Sequence, residues 1–207
     1  MRLSRSALAF LMLAWVLVML YPDPGMLVRS ARNVIESRPD PAAAQALAAG
    51  LPDDPALIET YVIDEQVPYG FDWQVYGVPW YFPTASEALT AGRGDCESRA
   101  MALASMLAAK GIPFDLRMAF GHIWVDYPGK AATAGENAGL EIAGRREGRL
   151  FFKWPENLDL GRELSEQLAI HYEPAPAWRV YLLVAGLTLL PLWNAVAPSG
   201  PRRSREG

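Results

Sequence analysis

Two long stretches without charged side chains lie near the ends of the chain. Residues 7–20 form the first, and residues 180–197 form the second. Between them, apolar positions recur at the shorter intervals typical of helices and strands in a folded domain. The pattern predicts two hydrophobic helices around one domain, residues 22–177, whose roughly 155 residues are an ordinary size for a single core.

The first stretch follows Arg2 and Arg5 and is shorter than the ~20 residues of a usual bilayer span. A secretory signal peptide and a short signal anchor both fit this pattern. The stretch runs into Tyr21-Pro22-Asp23-Pro24 with no small-x-small cleavage site. We therefore expect a signal anchor, a transmembrane helix over residues 1–21.

The second stretch has Trp178 and Trp193 near its ends, where aromatic residues gather at membrane interfaces. A buried core helix is the alternative, but a basic tail over residues 198–207 follows at once. We expect a transmembrane helix over residues 178–197. Basic residues flank both spans on their outer sides, so both termini should lie in the cytoplasm and residues 22–177 outside it, anchored to the cytoplasmic (inner) membrane.

Charge and cysteine content exclude several classes of protein. Residues 22–177 carry 13 Lys or Arg and 22 Asp or Glu, a net charge of −9, which argues against nucleic acid as the main partner. One cysteine excludes an internal disulfide and a zinc site made of several cysteines. Two histidines leave little for a histidine metal cluster, and we expect neither a cofactor nor a metal.

Helices precede strands along the middle of the chain. A sheet of alternating apolar residues follows the helices, and this order indicates an α+β fold with an antiparallel sheet. We expect a loop over residues 144–148 between the last two strands. The predicted helices are 26–38, 42–49, 55–65, 85–91, 96–110 and 161–171, and the predicted strands are 114–120, 122–127, 140–143 and 150–154.

An aromatic, turn-rich stretch extends from Val67 to Pro83. Two interpretations fit it equally: it lines the core and a surface groove, or it forms a wall that binds substrate. It holds Tyr69, Phe71, Trp73, Tyr76, Trp80, Tyr81 and Phe82.

The single cysteine, Cys96, begins the most convincing helix, behind a glycine-rich turn and with Asp95 as N-cap. The free amides and dipole of a helix start favour a thiolate. An inert buried cysteine is the alternative, although an unpaired thiol outside the cytoplasm is a liability. His122, on a strand 26 residues later, is the candidate base, if it is not simply structural. His171 ranks far lower because it lies near the predicted membrane surface.

Four segments together resemble the transglutaminase-like superfamily over about residues 70–140. The family pattern is G-D-C, a leucine-rich helix, G-I-P and H-x-W-V-E, and Asp126 stands where that pattern has Glu. The matching residues are Tyr81-Phe82-Pro83-Thr84 with Glu87-Ala88-Leu89, Gly94-Asp95-Cys96-Glu97-Ser98-Arg99-Ala100, Leu107-Ala108-Ala109-Lys110-Gly111-Ile112-Pro113 and Gly121-His122-Ile123-Trp124-Val125-Asp126.

The resemblance implies a papain-like core with Cys96 as nucleophile and His122 as general base and acid. The family's third residue, often Asp before Pro, has no direct counterpart here. Glu136 and Asn137 fit its spacing about equally, and Asn would orient His122 through its amide oxygen. Glu141 ranks behind them. Asp126 ranks last, because four residues of unbroken strand would place it ~13 Å from His122.

Two functions remain open at this stage. The first is a membrane-anchored cysteine hydrolase or acyltransferase, a peptidase, amidase or crosslinking enzyme that acts on a protein or peptide substrate through a Cys–His thiolate mechanism. The second is a non-catalytic binding or scaffolding subunit of a membrane complex. In both, the lipid bilayer is a partner and nucleic acid is not.

Overall fold

The computed structural model describes residues 2–131, 133, 136, 139–146, 149–154, 161, 164–165, 168–170 and 174–198. They divide into two units. One unit comprises residues 26–174, and the other comprises residues 1–25 with residues 175–207.

Helices occupy the first half of the chain and a sheet follows, which confirms the α+β prediction. The helices are α1 (Arg5–Leu20), α2 (Pro24–Glu36), α3 (Pro41–Ala49), α4 (Pro55–Tyr61), a π-helix (Val62–Gln66), α5 (Asp72–Val75), α6 (Ala85–Ala91), α7 (Cys96–Ala109) and α8 (Ala177–Val196). The strands are β1 (Asp115–Ala119), β2 (His122–Asp126), β3 (Glu141–Arg146) and β4 (Arg149–Phe152).

Local signals in the sequence explain where these helices begin. Asp40 and Asp54 cap α3 and α4 through their side chains, and each is followed by a proline at the first helical position. Thr84 and Glu87 form a reciprocal capping box at the start of α6. Gly92 ends α6 in the left-handed conformation that glycine adopts without strain.

Helix α7 forms the centre of the core of residues 26–174. It packs against α3, α6, the π-helix and β2. Because it is surrounded on most sides, nine of its residues are buried, including the whole segment from Ala100 to Leu107. From β1 and β2, Leu116, Ile123 and Val125 pack into the same cluster. The start of α7 is therefore held firmly beside the sheet.

The sheet is antiparallel throughout and has the order β2-β1-β3-β4. The predicted loop over residues 144–148 was wrong in its first part, because β3 continues to Arg146. A Cβ at Gly144 would lie 2.6 Å from the carbonyl oxygen of Leu116 and 2.6 Å from the ring of Phe151. Glycine is present there because strands and ring approach closely, not because the chain turns.

The unit formed by the two ends of the chain pairs α1 with α8. Among the described residues, α8 is the one helix long and apolar enough by itself to cross a membrane, and α1 meets that criterion only when joined to α2. The predicted membrane span over residues 1–21, which contains α1, thus remains a prediction. The predicted helix over 161–171 and the tail over 198–207 lie largely outside the described residues.

Candidate functional site

The turn before α7 brings the chain into a close packing arrangement. Gly94 forms an isolated parallel bridge with Tyr69, and its amide donates to the carbonyl of Pro68 at 3.1 Å. A Cβ at position 94 would lie 2.2 Å from the side chain of Ser98. The glycine before Asp95 and Cys96 is therefore required by the packing at the start of α7.

Cys96 and His122 line one cavity of about 470 Å³. Cys96 is the first residue of α7, and His122 is the first residue of β2. The two predicted catalytic residues thus line the same cavity. Tyr69, Trp80 and Leu103 contribute aromatic and apolar surface to it.

The thiol of Cys96 donates a hydrogen bond to Oε2 of Glu97, with 2.9 Å between the two atoms. The other carboxylate oxygen of Glu97 accepts from the indole Nε1 of Trp80 at 3.0 Å. Cys96 is the only cysteine and is partly buried. Its hydrogen-bond partner is thus a neighbouring carboxylate rather than the imidazole that the sequence suggested.

The pKa of Cys96 lies well above that of an ordinary thiol. Burial is the largest cause, and the negative charges of Glu97 and Asp95 follow. The amide of Ile123 faces the sulfur and acts in the opposite direction. We expected the helix start to lower the pKa of Cys96 and favour a thiolate. In the structure the pKa is raised and the thiol is favoured, because desolvation and two carboxylates outweigh the helix dipole.

The ring of His122 stacks on the ring of Trp124, with 5.6 Å between the centroids and 16° between the planes. Burial lowers the pKa of His122, and the charges of Glu136 and Glu97 oppose that effect. The imidazole is therefore neutral near pH 7 and able to accept a proton.

Asp72, which is buried, and Asp95, which is partly buried, form a pair of interacting acids near the start of α7. Oδ2 of Asp72 accepts from the amide of Tyr81, whereas Oδ1 of each aspartate is buried without a donor among the described residues. Asp95 occupies the predicted N-cap position but makes no capping hydrogen bond. Burial is the main cause that raises the pKa of both carboxyls, and their negative neighbours raise it further.

Glu136 lies on the cavity wall with His122, but its carboxylate is bound elsewhere. Its Oε1 lies 2.7 Å from Nζ of Lys130, which also bonds Glu59 at 2.7 Å. The predicted residue is thus near His122 and acts on it through its charge. Asn137 and His171 lie outside the described residues.

The two lower-ranked candidates both pair with Arg117. Asp126 lies at the far end of unbroken β2 and bonds Arg117 at 2.8 Å. Glu141 begins β3 and lies 3.3 Å from the same guanidinium. Ala119 of β1 pairs with His122 of β2 on one side and with Glu141 of β3 on the other. One strand therefore separates Glu141 from His122.

Three residues at the site were not singled out by the sequence. Glu97 follows Cys96 directly, and consecutive helix residues do not usually face each other. Trp80 belongs to the aromatic stretch, in which Tyr69 and Trp80 line the cavity and Tyr81 and Phe82 are buried. Lys130 carried no signal beyond its position in a Pro-Gly-Lys turn.

Ligand-type atoms of Asp95, Cys96 and Glu97 all lie within 4.8 Å of one another, a spacing that metal sites also show. Here the thiol proton donated to Glu97 accounts for the contact. We assign no metal to these residues.

A scan against protein-family models, a search of curated proteins and a search of solved structures each found no match for this chain. The functional conclusion therefore depends on the cavity and on the chemistry of its side chains.

Proposed function

We propose that the chain is a membrane-anchored cysteine hydrolase or acyltransferase of the transglutaminase-like type, acting on peptide or amide bonds. One observation supports this most directly. The only sulfur nucleophile of the chain and an imidazole line the same cavity, and the amide of Ile123, next to His122, faces the sulfur. A thiol and a neutral imidazole are the two groups that acyl transfer through a thioester needs.

In the proposed reaction, a ring nitrogen of His122 takes the thiol proton while Sγ of Cys96 bonds to the acyl carbon. The carbon–nitrogen bond then breaks, and the imidazolium returns the proton to the departing amine. Water or a second amine attacks the thioester and releases the sulfur. Glu136 or Asn137 is the proposed third residue, and the charge of Glu136 already favours the imidazolium.

The proposed location is the cytoplasmic membrane, with the domain of residues 22–177 outside the cytoplasm. The length and apolar composition of α8 support a membrane span. The basic residues before α1 and after α8 favour cytoplasmic termini. The substrate would then be a protein or peptide that reaches the outer surface of the membrane.

A test is available with N-acetylglycine p-nitrophenyl ester, an activated acyl donor that carries an amide N–H beside the acyl carbon. The full-length protein in mild detergent should release a burst of one equivalent of p-nitrophenol and carry an N-acetylglycyl group on the Cys96 peptide. Cys96→Ala should abolish the burst. His122→Gln should slow it by about 10²-fold or more. Acylation no faster than that of N-acetylcysteine, or unaffected by His122→Gln, would overturn the proposal.

One observation favours a second candidate, a non-catalytic binding subunit of a membrane complex. Among the described residues, the imidazole of His122 stacks on Trp124 and makes no hydrogen bond. Under this function, a membrane partner co-purifies in stoichiometric amounts, and Cys96→Ala keeps the wild-type phenotype. Loss of the phenotype in Cys96→Ala would exclude it.

A further inference from the structure

The contact between Cys96 and Glu97 requires a specific side-chain arrangement. Neighbouring residues on a helix project about 100° apart and do not normally touch. Here the Glu97 carboxylate turns back over the start of α7, and its Oε2 lies 2.9 Å from Sγ. The sulfur is therefore occupied by a partner from its own chain.

Trp80 fixes the carboxylate in this position. Its indole N–H donates to Oε1 of Glu97 at 3.0 Å, so that each carboxylate oxygen has one donor. An indole is a donor only, and it leaves the negative charge of Glu97 in place. Glu97 is thus held by two neutral donors, and the side chain of Asp95 lies within hydrogen-bond reach of the same carboxylate.

No cation among the described residues offsets the charge of Glu97. Arg99 lines the same cavity but donates to the carbonyls of Val67 and Ile63. Lys130 is bound by Glu59 and Glu136. The other titratable groups that line the cavity near the sulfur are Asp95 at the N-cap position of α7, His122 on β2 and Tyr69, and Asp72 on α5 interacts with Glu97 and Asp95.

We propose that Glu97 is a positioning residue that holds Cys96 as a protonated thiol through their hydrogen bond. In this state the thiol does not start acyl transfer until a donor group of the substrate binds the Glu97 carboxylate. The inference rests on the proposed function and adds a feature of the substrate: an amide N–H or ammonium group beside the scissile acyl carbon. When that donor binds Glu97, the thiol loses its acceptor and its proton becomes available to His122.

Alkylation by iodoacetamide tests this directly, because the chain has one cysteine and the rate reports Cys96 alone. The rate is measured on full-length wild type and on Glu97→Gln between about pH 6 and pH 10. Glu97→Gln keeps the shape and an acceptor for Trp80 while it removes the charge. The matched control is Glu65→Gln, which removes the same charge from an exposed side chain.

We expect the midpoint of the wild-type profile to lie above that of N-acetylcysteine. Glu97→Gln should lower it by about one pH unit or more, roughly a tenfold faster reaction near pH 7. Glu65→Gln should match wild type. A wild-type midpoint at or below that of N-acetylcysteine overturns the inference, whatever the variant does, and so does an unchanged midpoint in a folded Glu97→Gln protein.

The outcome is distinguishable from failure of the proposed function. Alkylation does not require an acyl substrate or a departing group, whereas the p-nitrophenol burst requires His122 and an acyl group with an amide N–H beside it. A shifted midpoint without a burst would retain the role of Glu97 and reject the enzyme. A burst with an unshifted midpoint would retain the enzyme and reject the role of Glu97.

Discussion

The ammonium of Lys130 lies 2.7 Å from Oε1 of Glu136, and this ion pair occupies a carboxylate that the sequence spacing offered to His122. The Lys130 side chain is only 5 % exposed, and it also bonds Glu59 and the carbonyl of Val125. All three of its donors are therefore used. The pair ties the segment that follows β2 to α4 beside the cavity.

Lys130→Met should destabilise the domain strongly, because it removes a buried ammonium and leaves the partly buried carboxylates of Glu59 and Glu136 without this cation. Removing one partner of a buried pair costs about 3–5 kcal/mol. Chemical denaturation of the full-length protein in detergent measures the loss. The control is Lys110→Met, whose partner Asp53 is 82 % exposed; a surface pair is worth about 0–1 kcal/mol. Equal losses in the two variants would contradict the prediction.

The acids Asp72 and Asp95 should make stability fall as pH rises, because the pKa of each is raised in the folded state. Their raised pKa values keep them protonated in the folded state, whereas the unfolded chain ionises them above about pH 4. The folded state then binds more protons, so each group lowers the free energy of unfolding by up to about 1.4 kcal/mol per pH unit, from about pH 4 up to its raised pKa.

The variant Asp72→Asn should flatten this dependence, which thermal unfolding at about pH 5 and pH 7 would measure. Burial lowers the pKa of His122, so the unfolded chain binds more protons at this residue below about pH 6.5. In that range the His122 contribution makes stability rise with pH, opposite to the effect of the two aspartates. That contribution is common to both proteins and cancels in their difference. Asp64→Asn, at an exposed position, serves as control. A variant with the wild-type slope would contradict the prediction.

The sequence predicted the helices around the site closely, because their ends carry strong local signals. The predicted helix over 96–110 is α7, Cys96–Ala109, followed by Gly111 at a positive φ of 67°. The predicted helix over 55–65 is α4 continued by the π-helix Val62–Gln66. A π-helix has no sequence pattern that differs from an α-helix, so the break at Val62 could not be foreseen.

The site itself was only half predictable. The sequence placed Cys96 at a helix start and His122 on a following strand, and both residues line one cavity. The protonation of Cys96 depends on where Glu97 and Asp95 turn and on how deeply the sulfur is buried, and spacing along the chain carries neither quantity. Spacing along the chain also does not reveal that the Glu136 carboxylate pairs with Lys130, because the fold brings these two side chains together.

Substitution of Gly94 should destabilise the start of α7. In Gly94→Ala the new Cβ would lie 2.2 Å from the Ser98 side chain, and the chain would have to shift. Overpacking of this kind costs about 1–3 kcal/mol. Gly50→Ala is the matched control, because its Cβ would meet nothing closer than 3.7 Å.

Thermal unfolding would measure the loss of stability in Gly94→Ala. The iodoacetamide rate of Cys96 would report the shift of the chain at the start of α7. We expect a lower melting temperature and an altered rate for this variant alone. The double variant with Ser98→Gly should recover part of the stability, since it removes the atoms in contact. No recovery would show that the contact is not the cause.

Gly186 of α8 should be essential for its pairing with α1. A Cβ at position 186 would lie 2.0–2.5 Å from indole atoms of Trp15, and the same indole donates to the carbonyl of Leu182 at 3.1 Å. Gly186→Val should therefore push the helices apart and break this hydrogen bond. In the apolar interior of a membrane, small residues permit this kind of close helix packing.

The measurement is thermal unfolding of the full-length protein in mild detergent, followed by the fluorescence of the indoles. Gly186→Val should lower the midpoint, and Ala195→Val, at an exposed position of α8, should leave it unchanged. Trp15→Phe should remove the hydrogen bond to Leu182 while leaving room beside Gly186. It should therefore lower the free energy of unfolding by less than Gly186→Val does, about 0.5–1.5 kcal/mol. If Gly186→Val behaves like Ala195→Val, the two helices do not pair through this glycine in solution.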